Sequence, residues 1–216
     1  MVYVFFSRPK HDNTLSYLHH YSKELIELAT RFGHTVINKE HIEANKKNAI
    51  KIIKKKKPKL IMFNGHGSPE IICGHNNEII VSLHKNPELL KDTITYSFSC
   101  CSASTLGEKS VEMGAICFIG YKFDFALGKD PESEATPHRD KIAKLFMEPS
   151  NLLFSRLLMG SSSGYSIRKA KELMKENIWY LRTTKDFLEA SHYAPFLYGN
   201  YLGLVALGDS EASIYD

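Results

Sequence analysis

Two short apolar runs, each ending on a chemically capable side chain, do most to limit what this chain can fold into. Lys59-Leu-Ile-Met-Phe-Asn-Gly-His66-Gly67 stops at a histidine between glycines, and Thr93-Ile-Thr-Tyr-Ser-Phe-Ser-Cys-Cys101-Ser stops at paired cysteines. Runs of this length, lying one crossover unit apart, read as strands of a mostly parallel sheet. In open parallel sheets ligands bind just beyond the carboxyl ends of the strands. A histidine and a cysteine would meet there.

The chain is long enough to bury such a sheet. Its 216 residues, 43% hydrophobic and 24% charged, match an ordinary globular protein, and no linker or repeat divides it, so one domain over 1–216 is expected. The net charge of +4 comes largely from Lys46, Lys47, Lys51 and Lys54 to Lys57. A basic run can bind nucleic acid, but this one has no interleaved aromatics. It reads as a solvated helix end, where lysines favour the negative end of the dipole.

No segment approaches the roughly 20 apolar residues of a membrane span. The start, Met1-Val-Tyr-Val-Phe-Phe-Ser-Arg-Pro9, lacks a charged leader and cleavage site and reads as a first strand; a cytoplasmic protein is expected. Cys73, Cys100, Cys101 and Cys117 are too few for a disulfide framework and are expected as free thiols.

Strands are expected at Val2 to Phe6, Thr35 to Ile37, Leu60 to Phe63, the run ending at Cys101, Ala115 to Gly120 and Tyr201 to Leu207. Between them, Leu15 to Phe32 carries apolar positions at helical spacing until Gly33, and Ile42 to Lys57 reads as a helix stopped by Pro58. Helices are also expected over Thr105 to Met113, Asp140 to Phe146, Leu152 to Leu158, and Ile167 to Glu176 with a continuation toward Leu188. Glu70-Ile-Ile-Cys-Gly and Glu78-Ile-Ile-Val, joined by His75-Asn76-Asn77, form a hairpin near the site. Tyr121 to Thr136, with Gly128, Pro131 and several acids, is a long loop of the kind that carries function. Tyr96, Phe98 and Trp179 read as packing residues. The architecture implied is α/β, a central, mainly parallel sheet of about six strands flanked by helices.

A thiol attacks a carbonyl as thiolate, and a neighbouring imidazole both lowers its pKa and returns a proton to the leaving amine. His66 and Cys101 suit those roles. Glycines on both sides of His66 let the backbone turn sharply, so the Gly67 N–H can face a substrate oxygen, and with the Cys101 N–H it would form an oxyanion hole. Asn64 or a backbone carbonyl would orient the imidazole. Cys73-Gly74-His75 beside His66 lacks a full zinc ligand set, and no phosphate-binding glycine motif is present. No metal or cofactor is expected. Gly160-Ser-Ser-Ser-Gly164 reads as an interhelix turn and cap.

The strand-then-His66-Gly67 element, the strand-then-Ser99-Cys100-Cys101 element and Gly114-Ala-Ile-Cys-Phe-Ile-Gly120 together resemble the caspase, gingipain and separase superfamily (clan CD) of cysteine peptidases, nearest to its prokaryotic gingipain-like and CHAT-like members. The ending Leu202-Gly-Leu-Val-Ala-Leu-Gly-Asp209 is similar to that group's last strand, although Ser210 stands where a proline often follows. The resemblance implies a caspase-like three-layer sandwich, Cys100 as the small residue before a Cys101 nucleophile, and a protein or peptide substrate, with an activating protein partner possible in principle. The 35-residue separation of His66 and Cys101 is shorter than the roughly 50 of caspases, and Ser99-Cys100-Cys101-Ser102-Ala103 replaces their Gln-Ala-Cys-x-Gly. Caspase-type aspartate specificity is not implied. Relatives that cleave after Arg or Lys carry an acid in the pocket; metacaspase-like ones place it where Ser99 stands. Here Asp124 in the loop after the fifth strand is the expected contact for a basic residue, with Ser99 beside it. Two other readings remain open at this point: a catalytically silent scaffold of the same fold, and a receiver or nucleotide-binding domain.

Overall fold

A computed structural model describes residues 1–130, 133, 136–185 and 190–216. The strands are β1 (Tyr3–Arg8), β2 (Thr35–Glu40), β3 (Leu60–Asn64), β4 (Gly67–Ser68), β5 (Ile71–Cys73), β6 (Ile79–Ser82), β7 (Ile94–Phe98), β8 (Cys117–Tyr121) and β9 (Leu204–Gly208). The helices are α1 (Asn13–Tyr21), α2 (Lys23–Arg31), α3 (Lys46–Lys56), α4 (Thr105–Glu112), α5 (Lys141–Leu158), α6 (Ser163–Thr183) and α7 (Ala194–Gly203). The main sheet has six strands in the order β2-β1-β3-β7-β8-β9. The first five run parallel and β9 pairs antiparallel with β8.

Strand alternation builds two cores from one sheet. Val4, Phe6, Leu60, Met62, Ile94, Tyr96, Phe98, Ile119 and Tyr121 face one side with Leu15, Leu25, Phe154, Met174 and Leu197 of the helices. Phe5, Ile61, Phe63 and Phe118 face the other, against Ile52, Leu106 and the hairpin residues Ile72 and Ile80. Each apolar run therefore has both faces covered, as parallel strands require. Helices lie on both faces, which makes the chain an α/β sandwich.

Three elements differ from the sequence expectation for local reasons. The helix over Leu15 to Phe32 breaks at Ser22, because the buried Arg8 guanidinium donates to the Ser22 hydroxyl and the His19 carbonyl, drawing the chain inward. Asp140 to Phe146 and Leu152 to Leu158 are instead one helix, α5, running through Pro149. A proline deprives the carbonyl four residues back of its donor, and Asn177 of α6 supplies one, bonding the Leu145 carbonyl at 2.8 Å. Tyr201 to Leu207 divides into the end of α7 and β9, so Tyr201 and Leu202 are helical.

Trp179, expected in the packing, is 68% exposed, whereas Tyr96 and Phe98 are buried. The Ser162 hydroxyl caps α6 as the serine run suggested. Helix α6 extends to Thr183 and is capped by an extended Thr184, short of the anticipated continuation toward Leu188; residues 186–188, like Pro131 of the long loop, lie outside the described residues. Among the described residues no helix is long and apolar enough to cross a membrane.

Candidate active site

The parallel strands place four carboxyl ends along one edge, in the sheet order β1, β3, β7, β8. Asp12 follows β1 by four residues, His66 follows β3 by two, and Cys101 and Asp124 follow β7 and β8 by three each. Adjacent strands lie about 4.8 Å apart, so the four residues form a row along that edge. The chain leaves β1 toward β2 on one side and β3 toward β7 on the other. Asp12 and His66 thus flank the topological switch point, where open α/β sheets hold their ligands.

His66 donates Nε2–H to Asp12 Oδ2 at 2.6 Å. Burial pushes the Asp12 carboxyl up, but the Leu15 N–H and His66 outweigh it and hold the group below its usual range. An ionised carboxylate only accepts, so Nε2 carries a proton and Nδ1 is the ring nitrogen that Asp12 leaves unengaged. Asp12 also caps α1 through Oδ1, accepting the Leu15 N–H at 2.8 Å. Asn64 does not orient the imidazole. Its Nδ2 donates to the Leu18 carbonyl at 3.2 Å, on the α1 side of the sheet.

Cys101 sits in a turn just past β7, with a left-handed φ of 55°. Its surroundings hold it there from every side: the N–H bonds the Phe123 carbonyl at 3.1 Å, and its carbonyl accepts from the Ser104 N–H and hydroxyl. Beneath the turn, the buried hydroxyls of Ser97, Ser99 and Ser102 bond one another at 2.9 to 3.1 Å. Strain of this kind persists where neighbours over-determine it, commonly at active sites.

Two expected contributions change accordingly. The Cys101 N–H is not open to a substrate oxyanion, because the loop after β8 takes it. Ser99 is 2% exposed and its hydroxyl belongs to the serine cluster, so it presents no side chain to a substrate here. Of the two expected donors, that leaves the Gly67 N–H, which has no backbone acceptor in the β4/β5 ladder. The Cys73 N–H bond to the His66 carbonyl makes residues 66 and 73 the hydrogen-bonded pair of the β4/β5 ladder. By alternation Gly67 and Ile72 form the non-bonded pair, and the Gly67 N–H points away from β5.

Gly67 also joins the two halves of the site. A Cβ there would lie 2.7 Å from Ser99 Cβ and 3.0 Å from the Cys100 carbonyl oxygen, so only glycine permits this approach of the histidine and cysteine segments. The hairpin predicted near the site is present as part of a three-stranded sheet, β4-β5-β6. Its Pro69 carbonyl accepts from the Leu106 N–H and Thr105 hydroxyl at the start of α4, which docks it beside Cys101.

The thiol is paired with a carboxylate. Cys101 Sγ donates to Asp124 Oδ1 at 3.2 Å. Burial, the hydrogen bond to Asp124 and the charges of Asp124 and Cys100 push the Cys101 pKa up to about 11. Cys100 is likewise raised, by burial first and then by Asp124. The row thus rests as two pairs, Asp12 with His66 and Cys101 with Asp124.

Among the described residues metal-ligand geometry occurs twice: His11, Asp12 and His66 form one group and His19, Glu40 and His41 another, each with donor atoms within 4.8 Å of one another. In the first, the Asn76 N–H donates to His11 Nδ1, which leaves the proton on Nε2, the nitrogen facing Asn77 and Asp12. In the second, Glu40 already accepts from Arg8 and His19.

Asp12 is the partner of His66 that the sequence did not reveal. Its one local signal was the cap position ahead of a helix, closely following a strand end. Compared with models of known protein families and with curated proteins, the chain matches none.

Proposed function

We propose that this chain is a cysteine endopeptidase of caspase-like fold, with Cys101 as nucleophile and His66 as general base and acid. The observation that carries the reading is the order Asp12, His66, Cys101, Asp124 on four adjacent strand ends. Asp12 fixes the imidazole with Nδ1 as the free base, and His66 and Cys101 follow neighbouring strands. The Cys101 proton passes to His66 Nδ1 as Sγ bonds the scissile carbonyl carbon, and the oxyanion forms against the Gly67 N–H. The imidazolium returns the proton to the departing amine as the C–N bond breaks. Water, deprotonated by His66, then hydrolyses the thioester and frees Cys101.

A substrate Arg or Lys beside the scissile bond suits Asp124, since a charge-assisted bond to a carboxylate supplies roughly 1.5 to 3 kcal/mol. Free Cys73, Cys100, Cys101 and Cys117 suit a reducing compartment such as the cytoplasm.

Fluorogenic peptides varied at the residue before the scissile bond test the reading. Turnover should vanish in Cys101→Ala and largely survive in Cys100→Ala, with basic residues preferred; the reverse pattern for the two cysteines would overturn it. The capped thiol favours a second reading, a catalytically silent scaffold. A thiol-reactive peptide probe that fails to label Cys101 in the wild-type chain, together with absent turnover, would select it.

A further inference from the structure

One carboxylate serves two partners in the reading above, and a partner that takes both of its oxygens competes with the thiol for Oδ1. Asp124 Oδ1 accepts the Cys101 thiol at 3.2 Å. A guanidinium binds a carboxylate best through both oxygens, in two parallel charge-assisted bonds. Such a partner needs Oδ1, and the S–H is a weak donor that cannot compete for it.

Asp124 is exposed in the loop after β8, so a ligand can reach it. The lysines of its own loop are turned elsewhere: Lys122 pairs with Glu108 at 3.5 Å, and Lys129 donates to Asn13 at 2.9 Å. The strand beside β7 on the other side is β3, which His66 follows by two residues. In the peptidase reading, a thiol released by Asp124 passes its proton to that imidazole.

We propose that Asp124 is a receptor for a cationic side chain of a bound peptide, which it exchanges for the Cys101 S–H, so that occupancy of the receptor frees the nucleophile. This rests on the peptidase reading and adds to it a control of reactivity by the ligand. A neutral side chain leaves Asp124 on the thiol. A guanidinium or ammonium group removes that acceptor, places positive charge beside Sγ and lets the proton move to His66. Binding energy from the side chain is then spent on activating the nucleophile, and selection for basic residues shows in kcat more than in KM.

The test reads the thiol, not peptide hydrolysis. Alkylation of Cys101 by iodoacetamide at neutral pH is followed by mass spectrometry in a Cys100→Ala background, with an acetylated peptide amide ending in arginine, with its neutral citrulline analogue, and with neither. The arginine peptide should accelerate alkylation about tenfold or more, the change in thiolate fraction for one unit of thiol pKa, and the citrulline peptide should not. Asp124→Asn should alkylate fast without any peptide and be indifferent to both, and Asp124→Ala repeats the test should the amide itself bond the thiol. Equal rates with and without the arginine peptide in the Cys100→Ala chain with Asp124 intact overturn the proposal. Agmatine at the same concentration separates the sources of the cation: equal acceleration by agmatine overturns a peptide-borne ligand. Release without turnover would refute the peptidase reading alone, and turnover without release would refute this inference alone.

Discussion

Asp12 performs two separable tasks, and single substitutions can tell them apart. Asn is as good a helix cap as Asp, but it cannot hold the imidazole as a carboxylate does. Asp12→Asn should keep the melting temperature near wild type while lowering kcat/KM by about tenfold or more. Asp12→Ala should show the same kinetic loss plus about 1 kcal/mol of destabilisation from the vacated cap. Parallel thermal melts and peptide kinetics read both effects, and equal melting temperatures for Asn and Ala would show that the cap contributes nothing. Cys101 carries a different signature. At φ 55° a side chain costs about 1 kcal/mol or more relative to glycine, so Cys101→Gly should be more stable than Cys101→Ala by about that amount in denaturant unfolding. The left-handed turn thus holds Cys101 at some expense of stability.

Elements meet at two points where one atom decides the fit. Gly67 admits β4 against the turn after β7, and a methyl there would press on Ser99 Cβ and the Cys100 carbonyl. Gly67→Ala should cost about 1 to 3 kcal/mol through overpacking and should cut activity further than its stability loss explains, because it displaces the proposed oxyanion donor. A variant equal to wild type in kcat would show that this approach is not part of the site. The second point is the pairing of Asn177 with the Leu145 carbonyl, which lets α5 continue through Pro149. Asn177→Leu strands that carbonyl and should destabilise by about 1 to 3 kcal/mol, about 2 to 4 °C in melting temperature per kcal/mol for a chain of this size. Pro149 by itself reads as a helix end; the donor that overrides it lies on another helix, where local sequence could not show it.

Two thiols with raised pKa values make the whole molecule sensitive to alkali. Cys101 and Cys117 are both raised to about 11, chiefly by burial, from an ordinary value near 9. The folded state then holds those protons more tightly than the unfolded state does. This contribution to stability is complete below about pH 9 and is lost as pH rises through about 11. Melting temperature should therefore fall between pH 9 and 11, and Cys117→Ala, though less stable at pH 8, should show a shallower fall over that window. An unchanged slope in the variant would remove Cys117 from the account.

The sequence by itself determined the strands, their parallel arrangement and the two reactive ends, because short runs buried on both faces leave little choice of residue, and glycine marks the turns that need it. His66, Cys101 and the hairpin beside them were legible for that reason. Only the tertiary structure decided that Asp12, 54 residues from His66, grips the imidazole, that the Phe123 carbonyl takes the Cys101 N–H, and that Asp124 takes the thiol. Each of these depends on which strands lie side by side in the sheet. Strand order follows from the packing of the whole chain, and no local pattern of residues encodes it.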